Sequence, residues 1–170
     1  MVNIDKAKEN VNEMFSELYP IAEEIVNKYA VKIDSLINQV AKAQILTNEE
    51  LRDFMLSLSI EAYSFSMSKD SSILRQDCST TLMKEAQARE YNNTEGTQVV
   101  RSNASIINTS DTQVVNLLYS AVANLMKTKL DETHRMINTL NSILISRNAE
   151  AKLNSSFGDN VQLGRQILNE

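Results

Sequence analysis

Proline occurs once in this chain of 170 residues, glycine three times, cysteine once and tryptophan not at all. Each scarcity excludes something. Sheets and tight turns draw on glycine and proline, whereas long helices avoid both in their interiors, so the composition specifies an all-α fold. With only 5% aromatic residues, a large globular core anchored on rings is excluded. Methionine, leucine, isoleucine and alanine must fill the interfaces instead. The lone cysteine, Cys78, cannot form an intramolecular disulfide, which fits a reducing, cytoplasmic compartment. The N-terminus is charged from Asp5 onward, unlike a secretory signal peptide. No apolar run approaches the roughly 20 residues needed to span a bilayer, so no membrane partner is expected.

A strong excess of either charge is also missing. The net charge of −5 argues against a general nucleic-acid binder, whose footprint is usually basic. The acidity is uneven: residues 1–50 hold nine acids against five lysines, and the remaining 120 residues hold 13 acids against 12 bases. Any nucleic-acid site should therefore lie beyond the N-terminal helices.

What the chain does have is apolar periodicity. Ile4, Ala7, Val11, Met14, Leu18, Ile21 and Ile25 recur at steps of three and four; after a stutter through Tyr29 the pattern resumes at Ile33, Leu36, Val40 and Ala43. A straight helix cannot keep such a seam on one side, so the spacing asks for a helix wound around it. Residues 1–46 are expected to be coiled-coil-like heptad helices with a kink or break at Pro20, and Val11, Met14, Leu18, Ile21, Ile25, Ile33, Leu36 and Val40 forming the interface of a homo-oligomer.

Residues 47–153 form a helical core in this reading. Thr47 and Glu50 make a T-x-x-E capping box ahead of Leu51, Met55, Leu58, Ala62 and Phe65. The serine-rich stretch 64–72 ends that helix. A second one, capped by Asp70 or Ser71, carries Leu74, Cys78 and Leu82 along one face and runs to about Tyr91. Between 92 and 110 asparagine, threonine, serine and glutamine dominate, the composition of a mobile polar loop, in which Val99–Val100 and Ile106–Ile107 are the part able to order. The last long helix starts at Ser110 or Asp111, uses Val115, Leu118, Val122, Leu125, Met136, Leu140, Ile143 and Leu144, and has a solvated polar middle around Lys127–Arg135. Residues 154–170 read as a linker with a short amphipathic end.

Candidate chemistry is sparse. His134 is the only histidine, with Asp131 one turn before it and nothing else converging. A reactive Cys78 would need a base lowering its pKa; its place among apolar residues reads as a buried structural thiol. The glycines are isolated, so no phosphate loop exists, and Glu23–Glu24 and Glu49–Glu50 suit helix surfaces and a first-turn dipole. No catalytic, cofactor or metal residue emerges, and the expectation is a non-enzymatic protein. A more diffuse constellation is basic and aromatic. Arg75, Lys84 and Arg89 lie on one helix, Tyr91 follows and Arg101 sits in the polar stretch, with Lys127 and Lys129 as a secondary patch. Such a set can hold single-stranded DNA by phosphate contact and base stacking. Asp77, Glu85, Glu90 and Glu95 interleave with it.

From about Leu46 to Glu150 the order of parts resembles the bacteriophage recombination mediators of the UvsY type. The resemblance is carried by a capped helix, the turn Lys69-Asp70-Ser71-Ser72-Ile73, the charged run Lys84-Glu85-Ala86-Gln87-Ala88-Arg89-Glu90-Tyr91, a polar loop, and a long helix from Asp111 with a basic middle at Lys127–Lys129. It covers about two thirds of the chain. It implies a phage protein of the host cytoplasm, a small helical oligomer that binds single-stranded DNA and loads a recombinase. The rival expectation is an oligomeric protein–protein interaction component, either a virion part or an inhibitor of a host factor.

Overall fold

The computed structural model describes the backbone of residues 4–43 and 45–167 and the side chains of residues 8–43 and 45–153. Four helices make up the described residues: α1 (Ile4–Lys42), α2 (Asn48–Asn93), α3 (Gln98–Asn108) and α4 (Ser110–Ile167). No strand occurs among the described residues, as the scarcity of glycine and proline requires.

Thr47 opens α2 with the expected capping box. The Glu50 N–H donates to Thr47 Oγ1 at 3.2 Å, and the Thr47 N–H donates to Glu50 Oε2 at 2.7 Å. Each side chain satisfies a backbone donor that a helix start leaves unpaired. From there α2 runs unbroken to Asn93, so the expected stop in the serine-rich stretch 64–72 is corrected. Its serines stay helical, and Ser72 returns its hydroxyl to the Ser68 carbonyl at 3.1 Å. At 46 residues the helix is about 69 Å long.

Helices α2 and α4 form a long antiparallel hairpin. At one end Leu51 and Leu58 pack on Leu140 and Leu144; further along, Gln76 Nε2 donates to Ser120 Oγ at 3.1 Å, and the Ser79 and Thr80 hydroxyls both donate to Asn116 Oδ1 at 2.8 Å. Helix α1 lies against one half of this hairpin, antiparallel to α2 and parallel to α4. Lys32 pairs with Glu61 of α2 at 3.3 Å, and Asp34 pairs with Lys129 of α4. The face it buries is Ala22, Val26, Ala30 and Ile33, set against Ala62, Phe65, Val122, Met126 and Leu130. Alanines at two of these positions let the helices approach closely. Leu36, Ile37 and Val40 extend the packing into the leucine cluster.

Several expectations are corrected here. The chain's own α2 and α4 are the partner of the α1 seam from Ile25 onward: Ile33 is buried, and Ile25, Leu36 and Val40 are half-buried within the same bundle. The heptad count weighted large residues, whereas small Ala22 and Ala30 sit at the closest approach and turn the buried face by about one residue. Helix α1 passes through Pro20 without ending. The stretch 92–110 is a short turn followed by helix α3, not a polar loop; Gly96, at φ +120°, makes the turn possible. The middle of α4 is not a solvated interruption, because Met126, Leu130 and Thr133 are buried there and the Thr133 hydroxyl donates to the Lys129 carbonyl at 2.8 Å. The backbone of residues 154–160 continues α4 rather than forming a linker. The expected amphipathic end falls largely on side chains outside the described residues.

Candidate protein-binding surface

The two ends of the hairpin differ. At the Leu51–Leu144 end three helices close around a core. At the other end α2, α3 and the start of α4 stand as a two-helix arm, and the N-terminal half of α1 contributes no buried side chain: from residue 8 to residue 21 only Leu18 is even half-buried. Of the expected oligomer interface, Val11, Met14 and Ile21 are exposed and unpartnered. Phe15 and Tyr19 stack on each other at 5.0 Å and are also exposed.

Helix α3 is turned against its own amphipathicity. Its inward side is polar or small. Ser105 and the following Thr109 are buried. Arg101 Nε donates to the Tyr91 carbonyl at 2.9 Å while its guanidinium lies 4.3 Å from the Tyr91 ring centroid, and Asn108 Nδ2 donates to Glu90 Oε2 at 3.0 Å. Its outward side presents Val99, Val100, Ile106 and Ile107 to solvent. Helix α2 is apolar on two opposite faces. Leu51, Leu58, Ala62 and Phe65 point inward, while Leu56, Ile60, Tyr63, Met67 and Leu74 form an exposed stripe at steps of four, three, four and seven. That second stripe was overlooked in the sequence, although its spacing is as regular as that of the buried face.

A groove of about 630 Å³ runs along the two-helix arm, lined by Leu74, Arg75, Cys78, Leu82, Val115 and Tyr119. Cys78 is exposed in it, which corrects its reading as a buried thiol. It lies about 100–120° around α2 from the buried Ser72 and Ser79. Arg75 and Tyr119 also border the hollow where Ile25 of α1 meets the hairpin, so the groove continues the face on which α1 is already seated.

The expected nucleic-acid residues are spread over this arm and beyond it. Arg75 lines the groove. Lys84 is exposed, and nine residues along a helix place it about half a turn around α2 from Arg75. Arg89 faces Glu85 at 4.0 Å. Tyr91 and Arg101 are brought together, but each occupies the other: the guanidinium covers a ring face, and Arg101 is half-buried rather than solvated. Lys127 borders a separate hollow with Lys69 and Asp131, and Lys129 is taken by Asp34. His134 is exposed. No group of three or more His, Cys, Asp or Glu side chains able to hold a metal ion occurs among the described residues, and none of their helices is long and apolar enough to cross a membrane.

No family model matches the chain, and neither the curated proteins nor the solved structures contain a significant match.

Proposed function

We propose that this is a non-enzymatic helical assembly component that works by binding protein, other copies of itself included, through the apolar faces of its two-helix arm. The observation that carries this reading is helix α3. A lone surface helix buries its apolar side and shows its polar side, and α3 does the reverse while polar contacts hold it to α2. Each of its four exposed aliphatic residues forgoes about 1.5–3 kcal/mol that burial would contribute. Contiguous apolar surface of this kind marks sites of protein contact, and the outward stripe of α2 adds to it.

The recombination-mediator reading calls for single-stranded DNA on Arg75, Lys84, Arg89, Tyr91 and Arg101 and a recombinase as partner. The dispersal of these residues, the pairing of Arg89 with Glu85 and the stacking of Arg101 on Tyr91 favour protein binding instead. Mass in solution, measured by light scattering with and without a single-stranded oligonucleotide at about 50 mM salt, separates the two. The expected result is an assembly whose mass does not depend on DNA and falls when Ile106 and Val99 are replaced by Asp. Oligonucleotide binding with steep salt dependence overturns the proposal in favour of the mediator.

A further inference from the structure

Resting on that reading, we infer that the groove on the two-helix arm is filled by the N-terminal half of α1 from a second copy of this chain, in a reciprocal exchange. The groove begins where the seated half of α1 stops, and the two share Arg75 and Tyr119 as a border. It is therefore the upper part of a three-helix interface whose lower part is already filled by α1. The same helix carries the piece that fits. Val11, Met14, Leu18 and Ile21 continue along it at steps of three and four, and three of the four are exposed. From Ile4 to Ile21 the segment is about 27 Å long, and from Leu74 to Asn93 the α2 wall of the arm is about 30 Å.

Charge agrees with this fit. Glu9, Glu13 and Glu17 follow one another at steps of four beside the apolar residues, and none makes an ion pair among the described residues. Arg75 on the groove wall is likewise without one, so acids on the incoming helix meet a base at the lower end of the groove. Asp111, at the first turn of α4, is accommodated by the positive end of that helix.

Two observations favour a second copy over closure of the chain on itself. Seating its own α1 in the groove would leave the outward face of α3 uncovered, because Val99, Val100, Ile106 and Ile107 lie on the side of α3 away from α2. A second chain brought to this end can cover both. The surface area points the same way. A compact folded chain of 19.1 kDa exposes about 8,400 Å² by the scaling of surface with mass, whereas this chain exposes 12522 Å². Long thin shape accounts for part of the difference, yet it exceeds the roughly 1,200–2,000 Å² that a stable pair buries.

Cys78 makes the test direct, since it is the only cysteine and stands exposed in the groove. A second cysteine is introduced on the incoming helix, as Met14→Cys in one variant and Leu18→Cys in another. Neither position belongs to the buried core. The full-length variants are oxidised with copper phenanthroline and separated without reductant. Exchange gives a disulfide-linked species of two chains in at least one variant, and Leu82→Asp in the same background lowers its yield roughly tenfold or more by weakening the apolar contact. A cross-link within one chain shows that α1 closes its own groove and overturns the exchange. So does the absence of any cross-link from both variants, or a two-chain product from the native chain through Cys78 alone. Each of these outcomes leaves the general protein-binding reading standing, because that reading fails on a different result, steeply salt-dependent oligonucleotide binding.

Discussion

Leu58 and Leu82 sit on the same helix, yet the structure assigns them opposite roles. Leu58 is 0% exposed among Leu51, Leu140 and Leu144, whereas Leu82 is 62% exposed on the arm. Truncating Leu58 to Ala removes buried methyl groups and leaves a cavity between two long helices that cannot collapse around it. The expected loss is about 2.7–5 kcal/mol, at the scale measured for fully buried leucines. In a chain of this size each kcal/mol lowers Tm by about 2–4 °C, so Leu58→Ala should melt about 5–20 °C below the parent. Leu82→Ala trims a side chain that is mostly solvated in the single chain and should stay within about 0.5 kcal/mol of the parent. Urea unfolding followed by circular dichroism at submicromolar concentration measures both. Any further loss in Leu82→Ala should appear only as concentration rises, because it acts on association rather than folding. Equal losses at low concentration would show that the arm is part of the folding core, and the division of the molecule into a closed end and an open arm would fail.

Replacing Thr47 with Ala should cost about 1 kcal/mol of stability through loss of the N-cap. The hydrogen bonds from the Thr47 backbone and side chain hold the Glu50 carboxyl below its ordinary value of 4.5, so its contribution is present above that pH and lost as pH falls through the depressed value. A stability profile between pH 6 and 2 should therefore be steeper for the parent than for Thr47→Ala. Replacing Gly96, at φ +120° and with Val100 3.3 Å from where a Cβ would stand, by Ala should cost about 1–2 kcal/mol. Amide exchange across α3 should rise while that of the leucine cluster is unchanged.

The fold class was legible from composition, and the start of α2 from Thr47 and Glu50. Leu51, Leu58, Ala62 and Phe65 were read correctly as one face because α2 follows the simple 3.6-residue period there. Three features escaped for physical reasons. Periodicity detects an apolar face but not what covers it, so the seam of α1 looked like an oligomer contact when half of it packs on the chain's own hairpin. Polar composition suggests a loop at 92–110, yet the inward side of α3 is held by Arg101 and Asn108 rather than by large apolar side chains, so its polarity belongs to the contact itself. The charged middle of α4 hid Met126, Leu130 and Thr133, which share one side of the helix while Lys127, Asp131 and Glu132 take the other. Of the candidate site, the residues were visible and their separation was not: Arg75 and Lys84 look adjacent in a list of bases, but nine helical residues turn them to opposite sides of α2.

The cluster of hydrogen bonds joining Gln76, Ser79 and Thr80 to Asn116 and Ser120 bears on how the hairpin finds its alignment. With apolar residues on opposite faces of α2, α4 could slide by a turn and still meet leucines and methionines, so hydrophobic contact alone would tolerate several alignments. The amide of Asn116 does not. Shifted by one turn, about 5.4 Å, it would face Gln76 or Met83 instead of a pair of hydroxyls, and on the Met83 side it would lose both hydrogen bonds, each worth about 0.5–1.5 kcal/mol. This small layer thus acts as a detent between two otherwise slippery rods. It selects one setting of the hairpin at the end that α1 does not cover.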